Sequence, residues 1–313
     1  MLKRDFSKSN KEYFKKNKYV LCATAVFLVI GIIIACIFGF NGNFEVNGYN
    51  QFSVNIGSVS GKDANKSIEE IKSIVNYYGG DYDAILVQNE GDLTEYIVRY
   101  SNEVNEDKQN QINSEISNKL NIEITKISEH IFVEPVVDAS DIIYTSAAIL
   151  LILVIATLFT YFRYNGASAI ALLTANIIGT LGFISFASIL RLSIGLSYFA
   201  MLVILNMLIF YCSFNIFETI KESNLLENND YENAIGQTMK KSRFKLCLIS
   251  VAVMIIGLLF VLIAPDAARY ISLNIMFMAV VLLAVSCYVV PFMWSVFITH
   301  CNKRKVVKEK NKN

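Results

Sequence analysis

Six long apolar runs constrain the fold of this chain more than any other feature of its 313 residues. A helix needs about 20 apolar residues to cross the hydrocarbon core of a bilayer, where backbone polar groups must be paired within the protein. The hydrophobic content of 54% and the mean hydropathy of +0.44 also indicate an integral membrane protein. The sequence therefore predicts six transmembrane helices, at 19–40, 142–162, 168–190, 197–217, 246–264 and 270–298.

The first apolar run has a second possible interpretation, because an apolar N-terminal segment can also be a cleaved signal peptide. Its apolar part is longer than such a peptide requires. Its last residues, ACIFGF at 35–40, offer no small-residue cleavage site. We therefore expect 19–40 to remain as the first transmembrane helix.

Lysine and arginine are concentrated on one side of the predicted membrane. They fill the tails 1–18 and 299–313 and the loop 218–245, whereas the two short loops on the other side, 191–196 and 265–269, contain only Arg191 and Arg269. Basic residues near span ends favour the cytoplasmic side. The sequence thus predicts a multi-pass protein of the plasma membrane with both termini cytoplasmic and with 41–141 outside the cytoplasm.

The segment 41–141 is the one large hydrophilic part of the chain and is strongly acidic. It has seven Lys and Arg against eighteen Asp and Glu, a formal charge of −11, and it contains none of the six cysteines. Alternating and helical spacings within it predict a ferredoxin-like β-α-β-β-α-β domain. The predicted elements are a strand at 51–57, a helix capped by Ser67 and Glu70, strands at 83–88 and 94–100, a helix across 104–120 and a strand at 122–127.

Sequence motifs for chemistry are missing from this acidic segment. It has no phosphate-binding loop, nucleophile elbow or dinucleotide fingerprint, and His130 has no cysteine or paired carboxylates at a metal-ligand spacing. We expect neither an enzyme nor a bound metal or cofactor, and no nucleic-acid partner.

The six predicted spans contain no Asp, Glu, Lys or Arg. Ionisable groups inside spans are costly and usually functional, so their absence argues against a transporter that moves ions by itself. Neutral polar residues remain, and they can either bond neighbouring helices or line a path through the bundle. The candidate coupling or packing positions among them are Asn176, Asn206, Cys212 and Asn215.

Four stretches together resemble SecF, a subunit of the accessory complex of the bacterial Sec protein-export system and a member of the resistance–nodulation–division superfamily. They are FGFNGNFEVNGY (38–49), FRYNGASAIALL (162–173), IFETIKES (216–223) and AIGQTMKKS (234–242). The third is similar to the family's VFDRIREN. Phe217, Ile220 and Glu222 are identical there, and Glu218 and Lys221 are conservative replacements.

The resemblance breaks down where the family is expected to bind protons. Aligned on IFETIKES, the family's Asn-Asp pair in the fourth span falls on Tyr211 and Cys212. The family's arginine in the fifth span falls on Lys241, or on Arg243 if one residue is inserted. The resemblance therefore implies that a cation is kept while the acidic group is lost.

The resemblance implies an accessory subunit that works with a SecD-like subunit and the translocon channel in the lipid bilayer. Such a pair would use the proton-motive force to help exported polypeptide chains leave the membrane. Two alternatives stay open: a half-transporter of the same superfamily that exports lipids or small molecules, and a degenerate subunit without ion coupling. A receptor or scaffold is less favoured, because the short loops leave no room for a signalling domain.

Overall fold

The computed structural model describes residues 2–42, 44–57, 61–79, 82–88, 94–100, 104–222, 231–263 and 269–310. The chain divides into two compact units. The membrane unit comprises Met1–Asn41 and Ala139–Asn313, and the second unit, which we call the outer unit after its predicted location, comprises Gly42–Asp138.

Helices dominate the membrane unit, and four strands lie in the outer unit. In chain order the elements are α1 (Leu2–Phe38), α2 (Phe44–Asn47), β1 (Tyr49–Gly57), α3 (Gly61–Gly79), β2 (Tyr82–Gln88), β3 (Thr94–Tyr100), α4 (Glu106–Leu120), β4 (Ile131–Val133), α5 (Ala139–Arg163), α6 (Gly166–Ile189), α7 (Leu196–Glu222), α8 (Tyr231–Ile263), α9 (Arg269–Ala284) and α10 (Val290–Lys310). A π turn, Val285–Val289, joins α9 to α10.

Within the described residues, six helical segments are long and apolar enough to cross a membrane, which confirms the predicted number of spans. The segments are Tyr19–Phe38, Ala139–Arg163, Gly166–Ile189, Leu196–Glu222, Lys241–Ile263 and Ile271–Cys301. The last one passes through α9, the π turn and α10, so a single span contains an irregular turn near its middle.

Helix α6 lies at the centre of the bundle because one of its faces consists of small residues. Half of the residues in its most apolar stretch are buried, compared with 6% of the corresponding residues in α1 and in α5. Small side chains let helix backbones approach closely in a membrane, where no hydrophobic force drives helices together. The buried small residues recur about once per turn, at Ala167, Ala171, Ala175, Gly179 and Gly182.

Helix α1 contacts α6 through a glycine. A Cβ atom added at Gly31 would lie 2.3 Å from Cβ and 2.7 Å from Cα of Ser185. One turn away, the rings of Phe27 and Phe186 are 4.6 Å apart. The first span therefore packs against α6 at a point where only glycine fits.

We predict that Gly31→Val weakens the packing of α1, because a side chain there would collide with the backbone of α6. Overpacking of this kind costs about 1–3 kcal/mol. Thermal denaturation of the full-length protein in detergent should show a lower melting temperature. The control is Ala25→Val, a similar enlargement on the exposed side of α1. Equal melting temperatures for the two variants would contradict this contact.

The outer unit is an antiparallel sheet with strand order β2-β3-β1-β4. Side chains alternate along its central strands, so that Phe52 and Val54 of β1 and Tyr96 and Val98 of β3 are buried. They pack with the apolar residues of the two helices, Ile71, Ile74, Val75, Ile112 and Ile116. This core explains the alternating and helical spacings in the acidic segment.

The predicted fourth strand at 122–127 is wrong. The structure has a 3-10 helix there, Ile124–Lys126, and Ile127 forms only an isolated bridge to Val54. Helix α4 ends at Leu120, Asn121 caps it with a left-handed backbone, and Ile124 in the 3-10 helix is exposed. The fourth strand instead comes later, as the three-residue β4. The ferredoxin-like assignment consequently remains a prediction.

The start of helix α3 also differs from its prediction. Helix α3 begins at Gly61, six residues before the predicted cap at Ser67. The predicted capping motif, Ser67 to Glu70, therefore lies within the helix and not at its N-terminus. The predicted turn at 89–92 lies outside the described residues.

His130 is held in its neutral form inside the outer unit. Its Nε2 lies 2.9 Å from Oδ1 of Asn113, and its Nδ1 lies 2.5 Å from the hydroxyl of Tyr100. The amide oxygen can only accept, so Nε2–H donates to it and Nδ1 accepts from the phenol. The ring also lies 4.5 Å from that of Phe52. Burial lowers the pKa of His130 to about 4.

The lowered pKa predicts a pH dependence for the outer unit. An unfolded histidine has a pKa of about 6.5, so the unfolded chain binds more protons than the folded one between about pH 6.5 and pH 4. The contribution of His130 to stability is complete above that window and is lost as the pH falls through it. Hydrogen exchange at the imidazole C2 position, followed by mass spectrometry on the full chain, should give a midpoint near pH 4. A midpoint near 6.5 would contradict the buried neutral ring.

Candidate functional site

Cys212, one of the candidate coupling or packing positions, lies on the buried face of α7. Its side chain is fully buried and its thiol lies beside the hydroxyl of Ser286, in the π turn. Both groups are weak or neutral hydrogen-bonding partners. The position is therefore polar, but it has no group that is charged at neutral pH.

Cys212 lies one turn along α7 from a tight contact between three elements of the bundle. A Cβ atom at Gly179 of α6 would lie 2.4 Å from Cδ1 of Ile209 and 3.5 Å from Cγ2 of Val285, so α6, α7 and the π turn meet there. Residues three or four positions further along share the same helix face. We call this apolar contact of Gly179, Ile209 and Val285 the dry contact. Cys212 and its neighbours thus lie about one helical turn beyond it, at the next level of the bundle.

Asn176 and Ser213 are polar residues of this level. Both side chains are fully buried. Nδ2 of Asn176 donates to the carbonyl of Leu172 at 3.0 Å, but neither its Oδ1 nor Oγ of Ser213 has a hydrogen-bond partner among the described residues. Buried oxygens without a partner are expensive in a membrane, so this level of the bundle is polar although its side chains are neutral.

Asn206 lies on the other side of the dry contact and serves to join two helices. Its Nδ2 donates to Oγ1 of Thr180 on α6 at 3.0 Å and to the carbonyl of Leu202 at 2.8 Å. Hydrogen bonds between membrane helices contribute about 0.6 kcal/mol on average. Of the two interpretations of Asn206, the contacts favour a role in packing.

The side chain of Asn215 does not belong to the buried polar residues around Cys212. Its side chain is half-buried, and its Nδ2 donates to the carbonyl of Tyr211 in its own helix at 2.9 Å. The structure thus brings Cys212 and Asn176 to one level, places Asn206 beyond a dry contact, and leaves Asn215 bonded within α7.

The two cationic candidates lie on α8. Lys241 is exposed. Arg243 is also exposed, and its guanidinium carbon lies 5.8 Å from the ring centre of Tyr288, in the π turn. A cation–π contact at this distance is weakly attractive. Arg243 is therefore associated with the same irregular turn that contacts Cys212.

The C-terminal end of α7 contains the motif residues Phe217 to Glu222, which divide into a buried and a polar side. Phe217 and Ile220 are buried, whereas Lys221 and Glu222 are exposed. A helix that leaves a membrane next to a packed bundle shows this division because one of its faces continues into the core.

Glu218 connects this end of α7 to the turn between α5 and α6. Its carboxylate accepts hydrogen bonds from Nη2 of Arg163 at 3.0 Å and from the hydroxyl of Tyr164. The ammonium of Lys221 lies 5.8 Å from the ring centre of Tyr164. We call Arg163, Tyr164 and Glu218 the carboxylate clamp. Burial, followed by the hydrogen bond to Glu218, raises the pKa of Tyr164 to about 12.

The clamp and the π turn are the features that sequence reasoning missed. Both clamp motifs, FRYN and IFETIKES, were visible in the sequence, but nothing in either indicates that the other is its partner. The π turn has no sequence signal, because the VSCYV segment is as apolar as the helices on either side.

The structure can be compared with solved structures, although no family model and no curated protein matches the sequence. It superposes on a crystal structure of SecDF in its super-membrane-facing form with a TM-score of 0.75 and 18% identity, over 96% of this chain and 40% of that one. The fold is that of SecDF. A second SecDF structure, from Thermus thermophilus and described as a translocon-associated membrane protein, matches with a TM-score of 0.63 and 15% identity, over 92% of this chain and 38% of that one.

The chain corresponds to only part of a SecDF chain. It spans about 40% of the SecDF chains that it matches, and the matched part extends through almost its whole length. Six spans and an outer α+β unit in one chain therefore make up less than half of a SecDF molecule. The fold agrees with the resemblance drawn from the four sequence stretches.

We predict that Glu218→Gln destabilises the bundle, because the neutral amide removes the charge that Arg163 and Tyr164 bond. Glu222→Gln, an exposed position one turn further along, serves as the matched control. Thermal denaturation in detergent should show a lower melting temperature for the first variant than for the second. If the control lowers the melting temperature as much, the clamp does not stabilise the protein.

Proposed function

We propose that this chain is an accessory membrane subunit of the Sec translocase that acts in the manner of SecF. The observation that carries the proposal is the SecDF fold, which extends over 96% of the chain and includes both units. The four sequence stretches that resemble SecF, one of which is IFETIKES at the C-terminal end of α7, support it independently. The proposal assigns the chain no enzymatic activity of its own.

A second, SecD-like subunit completes the proposed complex. The chain corresponds to about 40% of the SecDF molecule that it matches, and in this proposal the SecD-like subunit supplies the remainder. In the proposed complex, this partner and the translocon channel bind the chain within the bilayer. The outer unit contacts polypeptide chains as they leave the channel.

The proposed orientation places both termini in the cytoplasm and the outer unit outside it. Its support is the concentration of lysine and arginine in the two tails and in the loop 218–245. Basic residues near the ends of spans favour the cytoplasmic side of the membrane. The outer unit would then face the compartment into which proteins are exported, as the proposed contact with emerging chains requires.

In this proposal the subunit does not itself bind the proton that drives export. Its bundle interior has Cys212, Asn176 and Ser213 at the level where a carboxylate would be required. A neutral thiol does not replace one, because the reference pKa of cysteine is about 8.5 and that of aspartate is about 3.9. Proton binding in the complex is assigned to the SecD-like partner.

Affinity purification of the full-length chain from its native membranes in mild detergent tests the partner assignment. We expect a SecD-like subunit and channel subunits to co-purify in stable ratios. An unrelated six-span protein with the same tag, expressed at the same level, is the control. Recovery of the chain without either partner, under conditions that preserve the channel complex, would overturn the proposed function.

Proton flux through the purified complex in proteoliposomes tests the assignment of coupling. We expect Cys212→Ala to keep at least half of the native flux, because a thiol, with a reference pKa of about 8.5, does not readily release its proton at neutral pH. Substituting the intramembrane carboxylate of the SecD-like partner should abolish flux. Cys22→Ala, on the exposed side of α1, controls for the loss of a thiol. Loss of flux in Cys212→Ala, with flux retained in the partner variant, would reverse the assignment.

A further inference from the structure

One exposed side of α8 changes from basic to apolar within a few turns. The exposed fraction of the side chain is 75% at Phe244, 59% at Leu248 and 51% at Ile255. Residues three or four positions apart share a helix face, so these positions form one continuous strip. We call it the α8 strip, and its members are Lys241, Phe244, Lys245, Leu248, Val251 and Ile255.

The opposite side of α8 fixes which way the strip points. Ser242 and Leu246 are buried, and Oγ of Ser242 lies 3.4 Å from Oγ1 of Thr219 on α7. The helix is thus anchored to the bundle by one face. Its other face, which carries the α8 strip, is turned away from the bundle.

The basic end of the strip has two cations one turn apart. Lys241 and Lys245 are both exposed, and neither forms an ion pair with a carboxylate in the described part of the chain. Side chains four positions apart have their Cβ atoms about 5–6 Å from each other. Two ammonium groups at that spacing can bind the same phosphate from either side.

The position of these lysines relative to the membrane selects the ligand. The span of α8 begins at Lys241, which is where lipid headgroups lie. From Lys245 to Ile255 the apolar part of the strip extends for about 15 Å at 1.5 Å per residue. A phospholipid has this order of groups, a charged phosphate followed by an acyl chain. Free phosphate would gain nothing from the apolar part, and a soluble polyanion could not follow it into the hydrocarbon.

We propose that the α8 strip binds one anionic phospholipid. The phosphate lies between Lys241 and Lys245, Phe244 packs at the junction of headgroup and acyl chain, and one acyl chain follows Leu248 and Ile255. This inference does not depend on the proposed function. It gives Lys241 a role in lipid binding in place of the coupling role that the family alignment implied.

Native mass spectrometry of the full-length protein in detergent tests the proposal, with phosphatidylglycerol and phosphatidylcholine of identical acyl chains as probes. At about 1 kcal/mol per cation near an anionic surface, two lysines correspond to a preference of about thirtyfold for phosphatidylglycerol. We expect that preference to disappear in Lys241→Gln/Lys245→Gln and to persist in Lys241→Arg/Lys245→Arg.

The matched control is Lys119→Gln/Lys126→Gln, which removes two exposed lysines from the outer unit and should leave the preference unchanged. Melting temperatures of all variants establish that they are folded. Equal binding of the two lipids by the native protein would overturn the proposal, as would an unchanged preference in Lys241→Gln/Lys245→Gln. Displacement of bound phosphatidylglycerol by inorganic phosphate would show that the lysines form an ordinary anion site, which also overturns it.

Discussion

The close approach of helices around α6 is the contact on which the membrane unit depends. In a bilayer the lipid is as apolar as the side chains, so helices associate by packing and by hydrogen bonds between them. Helix α6 provides this packing through small residues at regular intervals, and Gly179 brings it within contact of Ile209 and Val285. Helix α1 docks on the same helix where Gly31 meets Ser185. Larger residues at these places would separate the helices and expose the polar side chains between them.

Those polar side chains are neutral, and this determines what the bundle can do. Asn206 and Thr180 bond two helices to each other, and Cys212, Asn176 and Ser213 lie beyond a dry contact. Such groups can hold helices in register but do not change charge near neutral pH. The ion pair of the carboxylate clamp lies instead at the helix ends, where it joins α7 to the turn that precedes α6.

The sequence predicted the fold to the extent that the bilayer or a repeating pattern dictated it. Six apolar runs could only become six helices, and alternation in β1 and β3 marked their buried sides. The strand prediction at 122–127 fails, because Asn121 caps α4 in a left-handed conformation that the alternation of the following residues does not indicate. The candidate site was predicted only in part. The alignment singled out Cys212 as a candidate position, whereas the partners of Glu218 lie 54 and 55 residues away in the sequence, beyond the reach of local patterns.

The π turn at Val285–Val289 has a geometric effect on everything that follows it. Its hydrogen bonds close over one residue more than those of an α-helix. In a regular helix one residue corresponds to a rotation of about 100°, since a turn takes 3.6 residues. The second half of the last span therefore faces a different direction from the one it would have in an uninterrupted helix. With this orientation of α10, the side chain of Trp294 is buried, and its Nε1 donates a hydrogen bond to Oγ of Ser168, in the first turn of α6. The last span thus changes the helix face that it turns toward its neighbours part-way across the membrane.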